Sequence, residues 1–204
     1  MLDDAGAAIA RAYDTLAERW RDGVFDASNG MQQHARALAF LEPQAGGLAL
    51  SVGCGCNTRL SCLLRAHGLQ IEGVDISARM LALAREADPA LVLHQADIRH
   101  WQPPRSYRFI TAWDSLWHVP LAQQRCVMAK LLAALDRGGV CIFSAGGLDV
   151  PHEHVDATMG PSLYYATLGI PGLLEVAAAA GCVCRHLEFD QYPEKHLYLV
   201  LQRS

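Results

Sequence analysis

Hydrophobic positions recur along this chain with two periods, and the change between them divides the sequence. In "AAIARAYDTLAERW" the apolar residues Ile9, Tyr13, Leu16, Ala17 and Trp20 fall every three to four positions, which predicts an amphipathic helix. "RDGVFDASNG" breaks that pattern with Gly23 and Asn29-Gly30, residues that favour turns. "MQQHARALAFLEP" then reads as a second helix ending before Pro43. From Gly46 onward short apolar runs alternate with helical stretches. Strands are expected at Leu48–Val52, Gln70–Val74, Leu91–His94, Phe109–Trp113 and Val140–Ser144. Helices are expected at Thr58–His67, from Ser77 through Ala87, and at Pro120–Leu135. Gly68 is placed to stop the first of these, Ser77 to cap the second, and "DRGG" to end the third. Such alternation predicts a parallel sheet with helices on both faces, joined by right-handed crossovers.

The last third reads differently. "AGGLDVPHEHVDATMGPSLYYATLG" is polar, glycine-dotted and aromatic, the pattern of an elaborated loop over 146–169. Pro171–Ala180 is helical, with Gly181 behind it, and "CVCRHLEF" and "KHLYLVLQ" are two strands joined through "DQYPE". A hairpin there makes the last strand of the sheet antiparallel. The expected class is α/β: a doubly wound, seven-stranded, mostly parallel sheet with an antiparallel last strand. A helical cap over 1–45 precedes a main domain over 46–204 that carries the 146–169 loop.

Composition narrows the possible partners. The 204 residues suffice for one large domain, and 51% of them are hydrophobic, enough for a sizeable core. The net charge of -4 comes with no basic run, which argues against a nucleic-acid partner. "MLDDAGAAIARAYD" begins acidic and lacks the basic flank and apolar core of a signal peptide. No apolar stretch approaches the ~18 residues of a membrane span. These features favour a soluble, cytoplasmic protein with no membrane partner; oligomeric state stays open. Seven cysteines include the C-x-C pairs Cys54/Cys56 and Cys182/Cys184. That spacing is tighter than structural zinc sites use, so no metal is expected and the thiols read as reduced, buried small hydrophobes.

The chemistry concentrates in "LALSVGCGCNTRL", a strand running into a glycine turn and a helix. In a doubly wound sheet, ligands bind beyond the C-terminal strand ends at the switch point. Gly53 and Gly55 remove side-chain bulk there, and the helix opening near Asn57 contributes a partial positive end. Asp75 closes the second strand, where a carboxylate can accept bonds from both ribose hydroxyls. Strand, glycine turn, helix, strand and acid at this spacing point to a nucleotide-type cofactor. A dinucleotide site wants glycine at the sixth position counted from Gly53, and Thr58 stands there.

"ALSVGCGCN", "GVDIS", "HQADIRHW", "YRFITAWDSLWHVP" and "LLAALDRGGVCIFSAG" together resemble the successive motifs of the class I S-adenosylmethionine-dependent methyltransferases, small-molecule type, over nearly all of 46–202. The resemblance implies S-adenosylmethionine as cofactor, a Rossmann-like fold, and methyl transfer to a small-molecule acceptor. It places Asp75 on the ribose, Ile76 and Met80 at the adenine ring, Asp97 at the adenine amino group and Ile98 beside it. Cys54 lies within the glycine turn, Trp113 ends the strand facing the transferred methyl, and Tyr13 corresponds to an N-terminal tyrosine approaching the cofactor carboxylate. Two positions of the first motif depart from the pattern, and Arg108 stands where an acid often precedes the fourth-motif strand. The first-motif acid is Ser51, which loses a charge-assisted bond worth about 1–2 kcal/mol over a neutral one. The third glycine is Asn57, which tolerates positive φ better than most residues. Cofactor binding without turnover is therefore a second reading, and a nicotinamide-dependent oxidoreductase a third.

Candidate acceptor chemistry follows the fourth strand. Asp114 can serve as a base, bind a cationic group, or act as a loop acid. His118 can be a base or a structural hydrogen-bond partner. His152, Glu153 and His154 lie in the expected loop and lack the helical i, i+4 spacing of a metal motif. Tyr164-Tyr165 are candidates for the acceptor pocket, one of them packing inward.

Overall fold

The computed structural model describes residues 4–23, 26, 28–42 and 46–204. Two helices come first, α1 (Asp4–Arg21) and α2 (Met31–Leu38); the Pro43 expected to close the second lies outside the described residues. Then follow β1 (Leu48–Val52), α3 (Arg59–Ala66), β2 (Gln70–Asp75), α4 (Ala78–Ala87), β3 (Val92–Gln95) and β4 (Tyr107–Ala112). After a 3-10 turn at Leu116–His118 come α5 (Leu121–Ala133), β5 (Leu135–Gly146), β6 (His152–Asp156), β7 (Leu163–Thr167), α6 (Gly169–Ala179), β8 (Cys182–Phe189) and β9 (His196–Arg203).

Seven strands form one sheet in the order β3-β2-β1-β4-β5-β9-β8. β1 through β5 run parallel, and β9 is antiparallel to both β5 and β8. The inserted antiparallel strand separates this sheet from the all-parallel dinucleotide order. The central strands are apolar on both faces because both faces are covered. Leu50, Ile110, Phe143 and Leu199 pack with Val127 and Leu131 of α5 and Leu173 and Val176 of α6. Their strand neighbours Ala49, Phe109, Ile142 and Val200 face Ala37 and Leu38 of α2 and Leu64 of α3.

Local signals set most boundaries. The Ser77 hydroxyl accepts the Met80 amide (3.0 Å) and caps α4. Gly68, at φ 78°, closes α3 with its amide on the Arg65 carbonyl. Two expectations are corrected. "DRGG" does not end a helix before a separate strand: β5 already begins at Leu135, which pairs with Tyr107, and a register shift follows in β4 between Tyr107 and Phe109. The 146–169 segment is not an irregular loop either. β6 and β7 form an antiparallel pair, with His154 opposite Tyr165.

α1 lies across α4 and is tied there by charge. Asp14 accepts the Ser77 hydroxyl (2.6 Å) and the Arg79 amide (3.0 Å), and Glu18 accepts Arg79 Nε (2.6 Å). This brings Tyr13 and Trp20 over the C-terminal ends of β1 and β2, against Met80 and Cys56. Among the described residues no helix is long and apolar enough to cross a membrane.

Candidate active site

β1 has β2 on one side and β4 on the other, so the chain reverses direction across the sheet at this point and leaves a crevice beyond the strand ends. A cleft of about 190 Å³ opens there. Fourteen residues named from the sequence line it: Tyr13, Ser51, Gly53, Cys54, Gly55, Asn57, Asp75, Ile76, Met80, Asp97, Ile98, Trp113, Asp114 and His118; the acceptor candidates His152, Glu153, His154, Tyr164 and Tyr165 do not.

The glycine turn is held mainly by β2. Gly53 and Cys54 donate to the Val74 carbonyl (2.8 and 3.2 Å), and Gly55 donates to Asp75 Oδ2 (2.8 Å). These amides therefore point at the β2 end and not at free ligand space. Both glycines hold left-handed φ, 63° and 60°. Their surroundings differ: a Cβ at Gly53 would sit 2.4 Å from Ser115 Cβ, whereas one at Gly55 would meet nothing within 4 Å. Gly53 thus admits the β4 loop, and Gly55 leaves the cleft open.

Asn57 does not occupy a left-handed position; Asp114 is the only described non-glycine residue that does. Instead the Asn57 side-chain oxygen accepts the Arg59 amide (2.9 Å) and satisfies an orphan donor of α3, which begins at Arg59. The third glycine was replaceable because the backbone needs no positive φ there.

Asp75 is buried and takes backbone N–H groups on both oxygens, from Gly55 and from Ser77 (2.9 Å). Burial raises its pKa, opposed by those hydrogen bonds. A carboxylate can accept about four hydrogen bonds, so capacity for ligand hydroxyls remains. Asp97 is committed to a neighbour the sequence reading missed. Arg99 holds it through its backbone amide (2.9 Å), through Nε to both oxygens (3.0 Å each) and through a terminal nitrogen (2.5 Å). Burial pushes Asp97 up, but these bonds outweigh it and its pKa is lowered.

Tyr13 and His118 meet beneath α1. The Tyr13 hydroxyl lies 2.6 Å from His118 Nε2, which Trp117 Nε1 also approaches (3.1 Å), while Nδ1 is 2.8 Å from the Tyr164 carbonyl. A carbonyl can only accept, so Nδ1 carries the proton and Nε2 accepts. Burial lowers the His118 pKa to about 4 and raises that of Tyr13, so both are neutral near pH 7. The Tyr164 hydroxyl takes the Leu121 amide (3.0 Å) and donates to Glu153 (2.5 Å), away from the cleft, while Tyr165 stacks on His154.

Asp114 sits at φ 51°, a conformation uncommon outside glycine and enriched in Asp and Asn. Ser144 Oγ accepts its amide (2.7 Å) and donates to its Oδ1 (3.0 Å). Oδ1 also meets His196 Nε2 (3.0 Å), and Oδ2 receives Asn29 Nδ2 (3.0 Å). His196 is the second residue the sequence reading missed; as the first residue of an apolar strand it carried no separate signal.

Residues 49–139 match a family model described as a methyltransferase domain. Over these residues the chain is similar to a methyltransferase domain, and its fold is that of the class I methyltransferases. A dTDP-3-amino-3,6-dideoxy-alpha-D-glucopyranose N,N-dimethyltransferase from Streptomyces fradiae is 40% identical over 150 residues, covering 70% of this chain and 52% of that protein. A trans-aconitate 2-methyltransferase from Paracidovorax citrulli is 36% identical over 106 residues, covering 50% of this chain and 40% of that protein. The chain thus spans about half or less of the length of these curated relatives. Among solved structures, an SAM-bound amino pentose methyltransferase from Micromonospora echinaspora superposes with a TM-score of 0.68 at 19% identity, covering 92% of this chain and 95% of that chain. The glycine turn, Asp75 and Asp97 all lie within the matched residues, whereas Tyr13 and His196 lie outside them.

Proposed function

We propose that the cleft binds S-adenosylmethionine and that the chain transfers its methyl group to a small-molecule acceptor. The observation that carries this reading is the placement of the Gly53–Gly55 turn beside the buried Asp75 carboxylate at the switch point. The lining fits the cofactor's parts. Asp75 keeps acceptor capacity for two ribose hydroxyls, and Ile76, Met80 and Ile98 offer an apolar wall for a purine. Asp97 lies further along the same wall, fixed by Arg99. The relatives' activities, on an amino-sugar nucleotide and on a small carboxylic acid, support a small-molecule acceptor.

When bound, the cofactor supplies an electrophilic sulfonium methyl, so the protein needs no nucleophile of its own. The chain's contribution is alignment and exclusion of water. α1 covers the cleft with Tyr13 and Trp20. Neutral His118, fixed by the Tyr164 carbonyl, accepts from Tyr13 and so orients that hydroxyl. Ser51 lines the cleft as a hydroxyl where the resemblance has an acid, and it motivates the competing reading of cofactor binding without turnover.

Isothermal calorimetry with S-adenosylmethionine, followed by transfer of labelled methyl to an acceptor panel, tests both steps. Saturable heat and a labelled product are expected. No heat at millimolar cofactor refutes the proposal; heat with no product from any acceptor leaves the binding-only reading standing.

A further inference from the structure

Asp114 is one end of a buried charged row. His196 has a carboxylate at each ring nitrogen, Asp114 Oδ1 at 3.0 Å from Nε2 and Asp190 Oδ1 at 2.5 Å from Nδ1. Gln33 Nε2 holds the far Asp190 oxygen at 2.6 Å. The His196 and Asp190 side chains are 8% and 5% exposed, whereas Asp114 is 25% exposed and faces the cleft. With an acceptor at both nitrogens, the imidazole must donate from both and is therefore an imidazolium. Burial pushes its pKa down, but the bonds to Asp114 and Asp190 outweigh that and raise it. One cation between two carboxylates leaves one net negative charge, presented to the cleft by Asp114 alone.

We propose that Asp114, held in place by the His196–Asp190 pair, binds an ammonium group carried by the small-molecule methyl acceptor. The inference rests on the methyltransferase reading above and adds the acceptor's chemical class. Three of the hydrogen bonds a carboxylate can accept are taken on Asp114, by Ser144, His196 and Asn29, which leaves room for one more donor. The surroundings suit a cation. Trp113 and Tyr13 supply aromatic lining, and His118 is neutral near pH 7. Arg59 also lines the cleft, donates through Nε to the Asn29 carbonyl (3.0 Å) and interacts electrostatically with Asp114. Arg99 is spent on Asp97 at the purine end. A carboxylic acid acceptor at Asp114 would bring a second negative charge against it, a repulsion that an ammonium group does not meet. The row also explains Asp114's left-handed backbone: Ser144 and His196 over-determine the conformation, which lets strain persist at a functional position.

The test uses the full chain and three fragments of one shape: benzylamine, benzyl alcohol and benzoate, titrated at millimolar concentration alone and with saturating S-adenosylhomocysteine. Benzylamine is expected to bind at least about tenfold tighter than the other two, the scale of one charge-assisted hydrogen bond, in both conditions. Asp114→Asn should erase the preference. Asp190→Asn, at a residue outside the cleft lining, should reduce it several-fold. Equal binding of the three, no binding of benzylamine, or a preference that survives in folded Asp114→Asn overturns the proposal. Displacement of benzylamine by S-adenosylhomocysteine also overturns it, by assigning Asp114 to the cofactor's own amino group. Should Asp114→Asn not fold, an unchanged preference in Asp190→Asn is decisive against it. Failure of S-adenosylhomocysteine itself to bind would instead refute the cofactor reading, with the amine preference still measurable without it.

Discussion

Replacing Gly53 or Gly55 by alanine separates two demands that both glycines share in sequence. Each holds a left-handed φ, 63° and 60°, which costs an L-residue about 1–2 kcal/mol. Gly55→Ala carries only that cost, because its Cβ would meet nothing within 4 Å. Gly53→Ala adds a collision, with Ser115 Cβ at 2.4 Å and Ser115 Oγ at 3.0 Å, well inside the ~3.5–4.0 Å optimum for carbon pairs. Ser115 cannot swing aside freely, since its hydroxyl donates to the Val52 carbonyl (3.0 Å) and the 3-10 turn at Leu116–His118 follows it. Overpacking of this kind costs about 1–3 kcal/mol. Gly53→Ala should therefore be less stable than Gly55→Ala by about 1–3 kcal/mol, read as a shift in urea midpoint at unchanged m-value. Equal losses, or the larger loss at Gly55, would refute the claim that Gly53 exists to admit the β4 loop.

Buried histidines set a pH dependence. His34, between the Gly30 carbonyl and the Thr111 hydroxyl, and His118 are both lowered from 6.5 to about 4 by burial. Below pH 6.5 the unfolded chain protonates them and the folded chain does not, so stability falls between about pH 6.5 and 4, by up to about 3 kcal/mol per group. His196 has the opposite sign: its raised pKa adds stability that is full below pH 6.5 and lost as pH rises through the folded value. Denaturation across pH 4.5–7 should show net proton uptake on unfolding, reduced in His34→Gln; a flat profile contradicts the burial argument. Arg99→Ala strips the partner from Asp97 at a pair only 5% exposed on each side, and should cost about 3 kcal/mol or more in the same assay; a change under about 0.5 kcal/mol, the scale of a surface substitution, would show the pair to be dispensable. Ser77→Ala removes the cap on the Met80 amide and the bond to Asp14. It should cost about 1–2 kcal/mol and speed amide exchange in α1 as well as α4; exchange confined to α4 would show that Asp14 does not tie the two helices.

The central sheet was legible because its strands are short apolar runs buried on both faces, such as Leu48–Val52 at β1 and the fully buried Leu197–Leu201 in β9. The cleft wall was legible for the same reason: Gly53, Gly55, Asp75 and Asp97 sit at strand ends whose positions the runs define. What escaped notice had no periodic signature. β6 exposes His152, Glu153, His154 and Val155 alike, so no alternation marks it as a strand, and only its pairing with β7 reveals it. The start of β5 was hidden because "DRGG" reads as a turn although Gly138, at φ 73°, lies within the strand. Asn57 was misjudged because a family pattern suggested a φ that this backbone does not use. His196 and Asp190 approach Asp114 across 82 and 76 positions of sequence, a juxtaposition that only the hairpin of β8 and β9 creates.

A crystal structure with S-adenosylhomocysteine bound tests the central claim most directly. Both ribose hydroxyls are expected within hydrogen-bonding distance of Asp75, the purine against Ile76, Met80 and Ile98, and the sulfur turned toward the Asp114 end of the cleft. A nucleoside lying anywhere else, or one whose sugar leaves Asp75 untouched, would contradict it.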